Sequence, residues 1–311
     1  MSQYFDEKEL FLSPKVTEQG NHMVMSNVYK TTKTKYVNID TRFHEDFSLS
    51  NTASFIYNFP QRISDVKSIS VRNLELPITY YSFSVNKGNT FMKITKVRSS
   101  DSIIIYSNNV IIPDNNYTLD SLKTTINNVL TSSNMISDVS FNISNGYSIF
   151  TSSNNTYHYT LQFAVDSTGV FDKYQLKSKF GWSLGFREPE YTLNSTNNSI
   201  TSKGPINLIN FRYLFLIIDE FKQSPNSFIS PLHYSLINKN ILARIVLDTS
   251  IFPYGSVLPA NTFNGLLLSD VRIYPGKTDI QKLQIQLVDE WGKRVDLNNM
   301  DFSFCLEIQH E

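Results

Sequence analysis

Chemistry in this chain would have to come from scattered residues. The five histidines, His22, His44, His158, His233 and His310, stand singly, whereas a zinc site draws its ligands as close pairs. Cys305 lies in an alternating apolar–polar stretch with no helix start before it to stabilise a thiolate, so it reads as inert. No Gly-x-Ser-x-Gly elbow presents an activated serine. Asp40 and Arg42 fall two apart on one face of an alternating run and are placed to pair with each other; no second acid or histidine accompanies them. Asp219-Glu220 ends an apolar run, and with no further ligands after it reads as a solvated strand end rather than a metal site.

Gly181-Trp182-Ser183-Leu184-Gly185-Phe186-Arg187 carries two glycines but neither the lysine nor the strand–loop–helix setting of a phosphate loop. It reads as a packed turn anchored by Trp182. Sequons at Asn116, Asn142, Asn154, Asn194 and Asn197 are what chance yields in a chain rich in Asn, Ser and Thr. The expectation is a protein without catalytic residues, cofactor or metal. The side chains left for interaction are the cations Lys30, Lys33 and Lys35, set among threonines, and Lys293 and Arg294 in a polar turn.

The elements that would position these residues are strands. Aromatics make up 13% of the 311 residues, with 22 Phe and 17 Tyr, and favour β structure. Lys and Arg (28) balance Asp and Glu (28), so no global field draws nucleic acid or an anionic membrane. No apolar run is long enough to span a bilayer. Met1–Leu12 carries Asp6, Glu7, Lys8 and Glu9 where a signal peptide would be basic and then apolar. With a single cysteine, these features set the expectation of a chain made in a reducing compartment.

Leu283, Ile285 and Leu287 alternate with polar residues, and so do Phe302, Phe304, Leu306 and Ile308. The spacing predicts two strands with one buried face, joined as an antiparallel ribbon through Asp289–Asn299. Val37, Ile39 and Phe43 share a face over 36–44. Phe55, Tyr57 and Phe59 predict a strand closed by Pro60. Ile69 and Val71 fall on one parity and Leu74 and Leu76 on the other, a slip that a bulge at Arg72–Asn73 absorbs. Tyr213–Ile218 is apolar throughout and predicts a central strand.

One helix stands out: Thr118 caps it, Asp120 sits in its first turn, and Leu122, Ile126, Val129 and Leu130 share a face. A second short helix is predicted near 171–180. The fold class read from this is all-β, an antiparallel β-sandwich of jelly-roll type, with one or two short helices covering a sheet or one end. Residues 1–35 read as an extended arm and 36–311 as the sandwich domain, with 113–190 a helix-containing insertion or subdomain.

Several stretches recur in a recognisable order: Tyr36–Phe43, Val66–Pro77, Ile112–Thr118 before the helix, Trp182–Phe186, and Val288–Asn299. In this order they resemble the minor capsid proteins of nucleocytoplasmic large DNA viruses. The resemblance runs from about Tyr36 to the C-terminus. It implies a jelly-roll sandwich in an icosahedral shell and no catalytic residues. It also implies a virion location after assembly in host cytoplasm, with the major capsid protein and other minor capsid proteins as partners, and self-association. Two other readings stand beside it: a vertex penton protein, and a carbohydrate-binding module or glycosidase in which Trp182, Trp291 and tyrosines stack sugars.

Overall fold

The computed structural model describes residues 31–44, 52–209, 211–221 and 240–311. In chain order the strands are β1 (Lys33–Asp40), β2 (Ser54–Pro77), β3 (Phe91–Arg98) and β4 (Ile104–Ile111), followed by helix α1 (Leu119–Ser132). Then come β5 (Val139–Ser144), β6 (Tyr147–Ser152), β7 (Tyr157–Gln162), the one-turn helix α2 (Phe180–Ser183), β8 (Glu190–Leu193) and β9 (Ser199–Thr201). The chain continues through β10 (Tyr213–Asp219), β11 (Ile241–Val246), β12 (Val257–Asn261), β13 (Leu267–Ser269), β14 (Arg272–Val288) and β15 (Ser303–His310). Every strand pairing is antiparallel, as the alternating patterns require.

The largest sheet has eight strands in the order β1-β15-β2-β14-β10-β11-β13, with β12 added on β2. It curls on itself, so that its inner face closes over one core running from Ile39 to Ile308. Its organiser is β2, whose 24 residues are far more than a strand usually has. The strand bends at irregularities that the sequence encodes. Cys305 faces Asn73 and Leu306 faces Val71, so Arg72 is the extra residue of the expected bulge. Asp65 takes a positive φ of 52° where the pairing with β14 shifts again.

Three expectations change. The two C-terminal strands do not form a ribbon: β2 lies between β14 and β15 and pairs with both. The connection 289–302 is long enough to cross one intervening strand, so β2 can insert and offer an edge to each. Pro60 does not close a strand either; β2 runs through it. The register there steps from Asn58 opposite Lys282 to Ile63 opposite Ile280, so proline sits where no ladder hydrogen bond is required. The face containing Phe43 ends early. Asp40 caps a single 3-10 turn over Thr41–Phe43, accepting from Arg42 N at 3.0 Å and pairing with its guanidinium, and Phe43 is 81% exposed.

A second core gathers residues from Phe83 to Leu208 under a four-stranded sheet (β4-β3-β7-β8) and a three-stranded one (β5-β6-β9). It is wider than the expected 113–190 segment, because β3 and β4 pack into it. Helix α1 begins with the expected Thr118 cap and buries Leu122, Ile126 and Leu130. Its Asn127 side chain donates to Phe141 O (2.8 Å) and accepts from Phe141 N (2.9 Å), which seals the outer edge of β5 against the helix.

Candidate functional site

The predicted interaction residues do not form one patch. Lys30 lies outside the described residues. Lys33 and Lys35, expected in an arm, sit exposed on β1 opposite His310 and Ile308. The Lys293–Arg294 turn leads instead towards Ser303, the other end of β15. What the fold does collect around that turn is a set of groups that the sequence did not single out.

Two loops make the site. Segment 78–90 links β2 of the first core to β3 of the second, and segment 289–302 links β14 to β15. They are zipped together by Thr79 Oγ1 to Leu297 O (2.7 Å), Asn298 Nδ2 to Thr79 O (2.5 Å) and Asn86 Nδ2 to Asp296 Oδ2 (2.9 Å). Asp289 folds the second loop. Its Oδ1 accepts from Trp291 N and Lys293 N, both at 2.9 Å, around Gly292 at φ +83°. That turn aims Lys293 across the gap, where Nζ donates to Lys87 O at 2.8 Å. Lys293 was expected to be free for contact; it is half-buried and committed to this bond, while Arg294 is exposed.

Between the loops lies a cavity of about 30 Å³, room for about two water molecules. Tyr80, Ser84, Lys87, Phe211, Asp289 and Lys293 are among its lining, and Asn86, Arg294 and Asp296 form an exposed rim. Lys87 Nζ is sealed from solvent, has no hydrogen-bond partner, and sits 3.4 Å from the centroid of the Phe211 ring. Burial pulls its pKa down to about 7; Asp289 and Glu290 pull the other way, and Lys293 adds to the fall. The Tyr80 hydroxyl and Glu290 Oε2 are likewise buried without a partner. Burial raises the pKa of Asp289, Glu290 and Tyr80 and lowers that of Lys293. The buried Lys96 is satisfied by contrast: its Nζ donates to Met135 O and to Asp138, each at 2.9 Å.

An amine neutral near pH 7 is what a nucleophilic lysine requires. Here the space around it holds water-sized groups, not a substrate with a reacting carbon, so the geometry is that of a small binding site. Among the described residues no three or more His, Cys, Asp and Glu side chains gather as a metal site. No described helix is long and apolar enough to cross a membrane.

No family model matches the chain, and no curated protein matches it. Among solved structures it is similar to the selenomethionine-labelled mavirus penton protein, at TM-score 0.42 and 11% identity, over 91% of this chain and 100% of that one. It is also similar to a chain in the cryo-EM structure of the Sputnik virophage, at TM-score 0.37 and 14% identity, over 89% and 97%. Scores of this size do not establish a common fold.

The remaining sequence candidates resolve as structure. Asp219-Glu220, read as a solvated strand end, is corrected: Glu220 is buried and pairs with Arg272 at 2.6 Å, and Tyr274 donates to the same oxygen at 2.5 Å. Arg272 of β14, the strand beside β10, reaches Glu220 just past the end of β10. Trp182 anchors its turn as expected, with the Arg187 guanidinium 4.2 Å from its ring centroid. Gly181 admits no side chain there, since a Cβ would come within 2.3 Å of Phe163. The Cys305 thiol is half-buried, and its pKa is pushed up by burial. No local signal marked Lys87: Asn86-Lys87-Gly88-Asn89 reads as an ordinary polar turn.

Proposed function

We propose that this chain is a structural protein of an icosahedral virus shell, a minor capsid protein making contacts with major capsomers and other minor proteins. The ordered stretches from Tyr36–Phe43 to Val288–Asn299 supply the class. The observation that carries an assembly role is the apolar surface along 251–273. Ile251, Val257, Phe263, Leu268, Val271 and Ile273 are all more than half exposed, Phe263 at 91%. Bare apolar side chains in such number along one stretch belong against a partner. Val257 lies on β12, Leu268 on β13 and Ile273 on β14, with Ile251, Phe263 and Val271 in the connections beside them. Among the described residues β13 is an end strand of the large sheet, so a neighbour meets both apolar side chains and a strand edge.

The acids support a non-enzymatic reading. Asp40 pairs with Arg42, Glu220 with Arg272, and Asp289 holds two backbone N–H groups. The carbohydrate-stacking reading weakens at Trp182, since Arg187 and, at 5.9 Å, Lys177 already lie over its ring.

Phe263→Ser with Ile273→Ser tests the assignment in the full chain. Both side chains are exposed, so melting should move little. Co-sedimentation with shells assembled from the major capsid protein of the same virus should fall by about an order of magnitude or more, as loss of central interface anchors predicts. Unchanged co-sedimentation overturns the contact surface. Rings of five formed by the purified chain alone would instead favour the vertex penton.

A further inference from the structure

We propose that the cleft between the two cores binds a carboxylate, whose oxygens are held by Lys87 Nζ and the Tyr80 hydroxyl, with Arg294 at the mouth. This stands on the cleft alone and is independent of the shell reading.

The hydrogen bonds of the lining favour an acceptor; Glu290, whose Oε2 is also buried without a partner, lies outside that lining. Each carboxylate lining the cleft already serves N–H donors. Asp114 accepts from Val85 N (2.8 Å), Asp289 from two backbone N–H groups, and Asp296 from the Asn86 amide and Asn298 N (both 2.9 Å). The cations have no such match. Lys293 spends its ammonium on the Lys87 carbonyl, and Lys87 Nζ has no hydrogen-bond partner among the described residues. The Arg294 guanidinium makes no hydrogen bond or ion pair among the described residues.

Two buried donors, Lys87 Nζ and Tyr80 Oη, stand around one ring. Nζ is 3.4 Å from the Phe211 centroid, and the Tyr80 ring meets the same ring edge-on at 5.0 Å. A buried unpartnered donor carries a desolvation cost that an acceptor relieves, most of all a charged acceptor. The cavity, about 30 Å³, admits two oxygen-sized groups and not a ring or a nucleotide. A planar carboxylate fills such a space with both oxygens on donors. Its backbone or methyl end then points out through the exposed rim past Arg294.

The ligand comes from one of two sources, a free small carboxylate or an acidic side chain of another protein chain, and the test separates them. The full-length protein is melted below pH 7, where Lys87 is charged, with rising sodium acetate, with sodium chloride at equal ionic strength, and with a blocked Gly-Asp-Gly amide. Expected is a saturating rise in Tm of a few degrees with carboxylate and none with chloride. Lys87→Met should melt higher than wild type without ligand, having lost an unpaired buried charge, and should show no response to carboxylate. Arg294→Gln, an exposed change that leaves folding intact, should need several-fold more ligand for the same rise. A response to acetate alone assigns a free small carboxylate. One from the peptide that matches or exceeds acetate assigns an acidic side chain. No response from folded wild type, or a full response from Lys87→Met, overturns the site.

Discussion

Two buried charge clusters in this protein are built on opposite terms. Arg272 is 2% exposed, yet every direction it faces is answered. Nη1 donates to Glu220 Oε1 (2.6 Å) and Ile218 O (2.8 Å), and Nη2 to Asn240 O (3.0 Å). Its fork thereby ties the end of β10 to the start of β11. Lys87 also sits among acids, Asp289 and Glu290, but none is within bonding reach and its nitrogen faces only an aromatic ring and the cavity. The first cluster lies inside one sheet, where strand ends fix the geometry of every partner. The second lies between two loops, one joining the two cores and the other joining β14 to β15, where no ladder sets the spacing. In this pair the saturated charge is carried by a strand and the unsaturated one by a turn.

The sharpest way to break this contrast is to delete each cation. Arg272→Met takes the cation away from the buried Glu220 carboxylate, leaving Tyr274 to donate to it, and strips a donor from two carbonyls. It should destabilise by ~3–5 kcal/mol, read as a lower midpoint in urea with an unchanged slope. Lys87→Met should do the reverse, stabilising by about 1–3 kcal/mol because it removes an unpaired polar group from a buried place. If both substitutions destabilise alike, Lys87 has a structural partner and the contrast fails.

The pH dependence gives a smaller, signed version of the same test. Lys87 titrates near 7 when folded and at 10.5 when unfolded. Between these values the unfolded chain binds more protons, so stability rises with pH, by up to ~1.4 kcal/mol per unit. Lys293, also lowered, adds to that rise. Asp289 and Glu290 are raised, so what they contribute is present below their unfolded values of 3.8 and 4.5 and is lost as pH climbs through their folded ones. Tyr80, raised above 10, makes stability fall again in stronger base. Denaturation midpoints should therefore dip around neutrality and recover towards pH 10, and Lys87→Met should flatten the recovery. A wild-type curve that falls steadily from 7 to 10 would contradict the buried amine.

Where burial repeats with a fixed period, the sequence was legible. Phe304, Leu306 and Ile308 are fully buried, Leu122, Ile126 and Leu130 line α1, and the parity slip between Val71 and Leu74 is a bulge at Arg72. Period reports which face is buried but not which strand lies alongside. The ribbon expected from β14 and β15 thus became two separate pairings with β2, and Lys33 and Lys35 entered a strand whose inward face has little apolar signal before Val37. Charged interior groups were the least legible. Glu220 is made structural by Arg272, 52 positions along the chain, and Lys87 is made exceptional by Phe211 and Asp289; neither juxtaposition leaves a local pattern. The cations that looked most available, Lys293 and Arg294, are neighbours in sequence with different roles in the fold.

That last pair gives the finest test. Lys293 Nζ bridges the two loops through Lys87 O, and Lys293 contributes to the depressed pKa of Lys87. Lys293→Glu breaks the bridge, but it also brings a negative charge towards the unpartnered ammonium. The lost hydrogen bond costs about 1 kcal/mol, and attraction to Lys87 offsets part of it, so melting should fall only slightly while the alkaline recovery shifts to higher pH. Arg294→Glu sits on the exposed rim, touches none of these bonds, and should change stability by less than ~0.5 kcal/mol. Its effect should appear only in carboxylate binding, which a like charge at the mouth repels. Side-by-side melting curves and acetate titrations separate the two. If Lys293→Glu leaves the pH profile untouched, the bridge does not couple to Lys87. A loss of stability in Arg294→Glu as large as in Lys293→Glu would mean that the rim belongs to the packed interior.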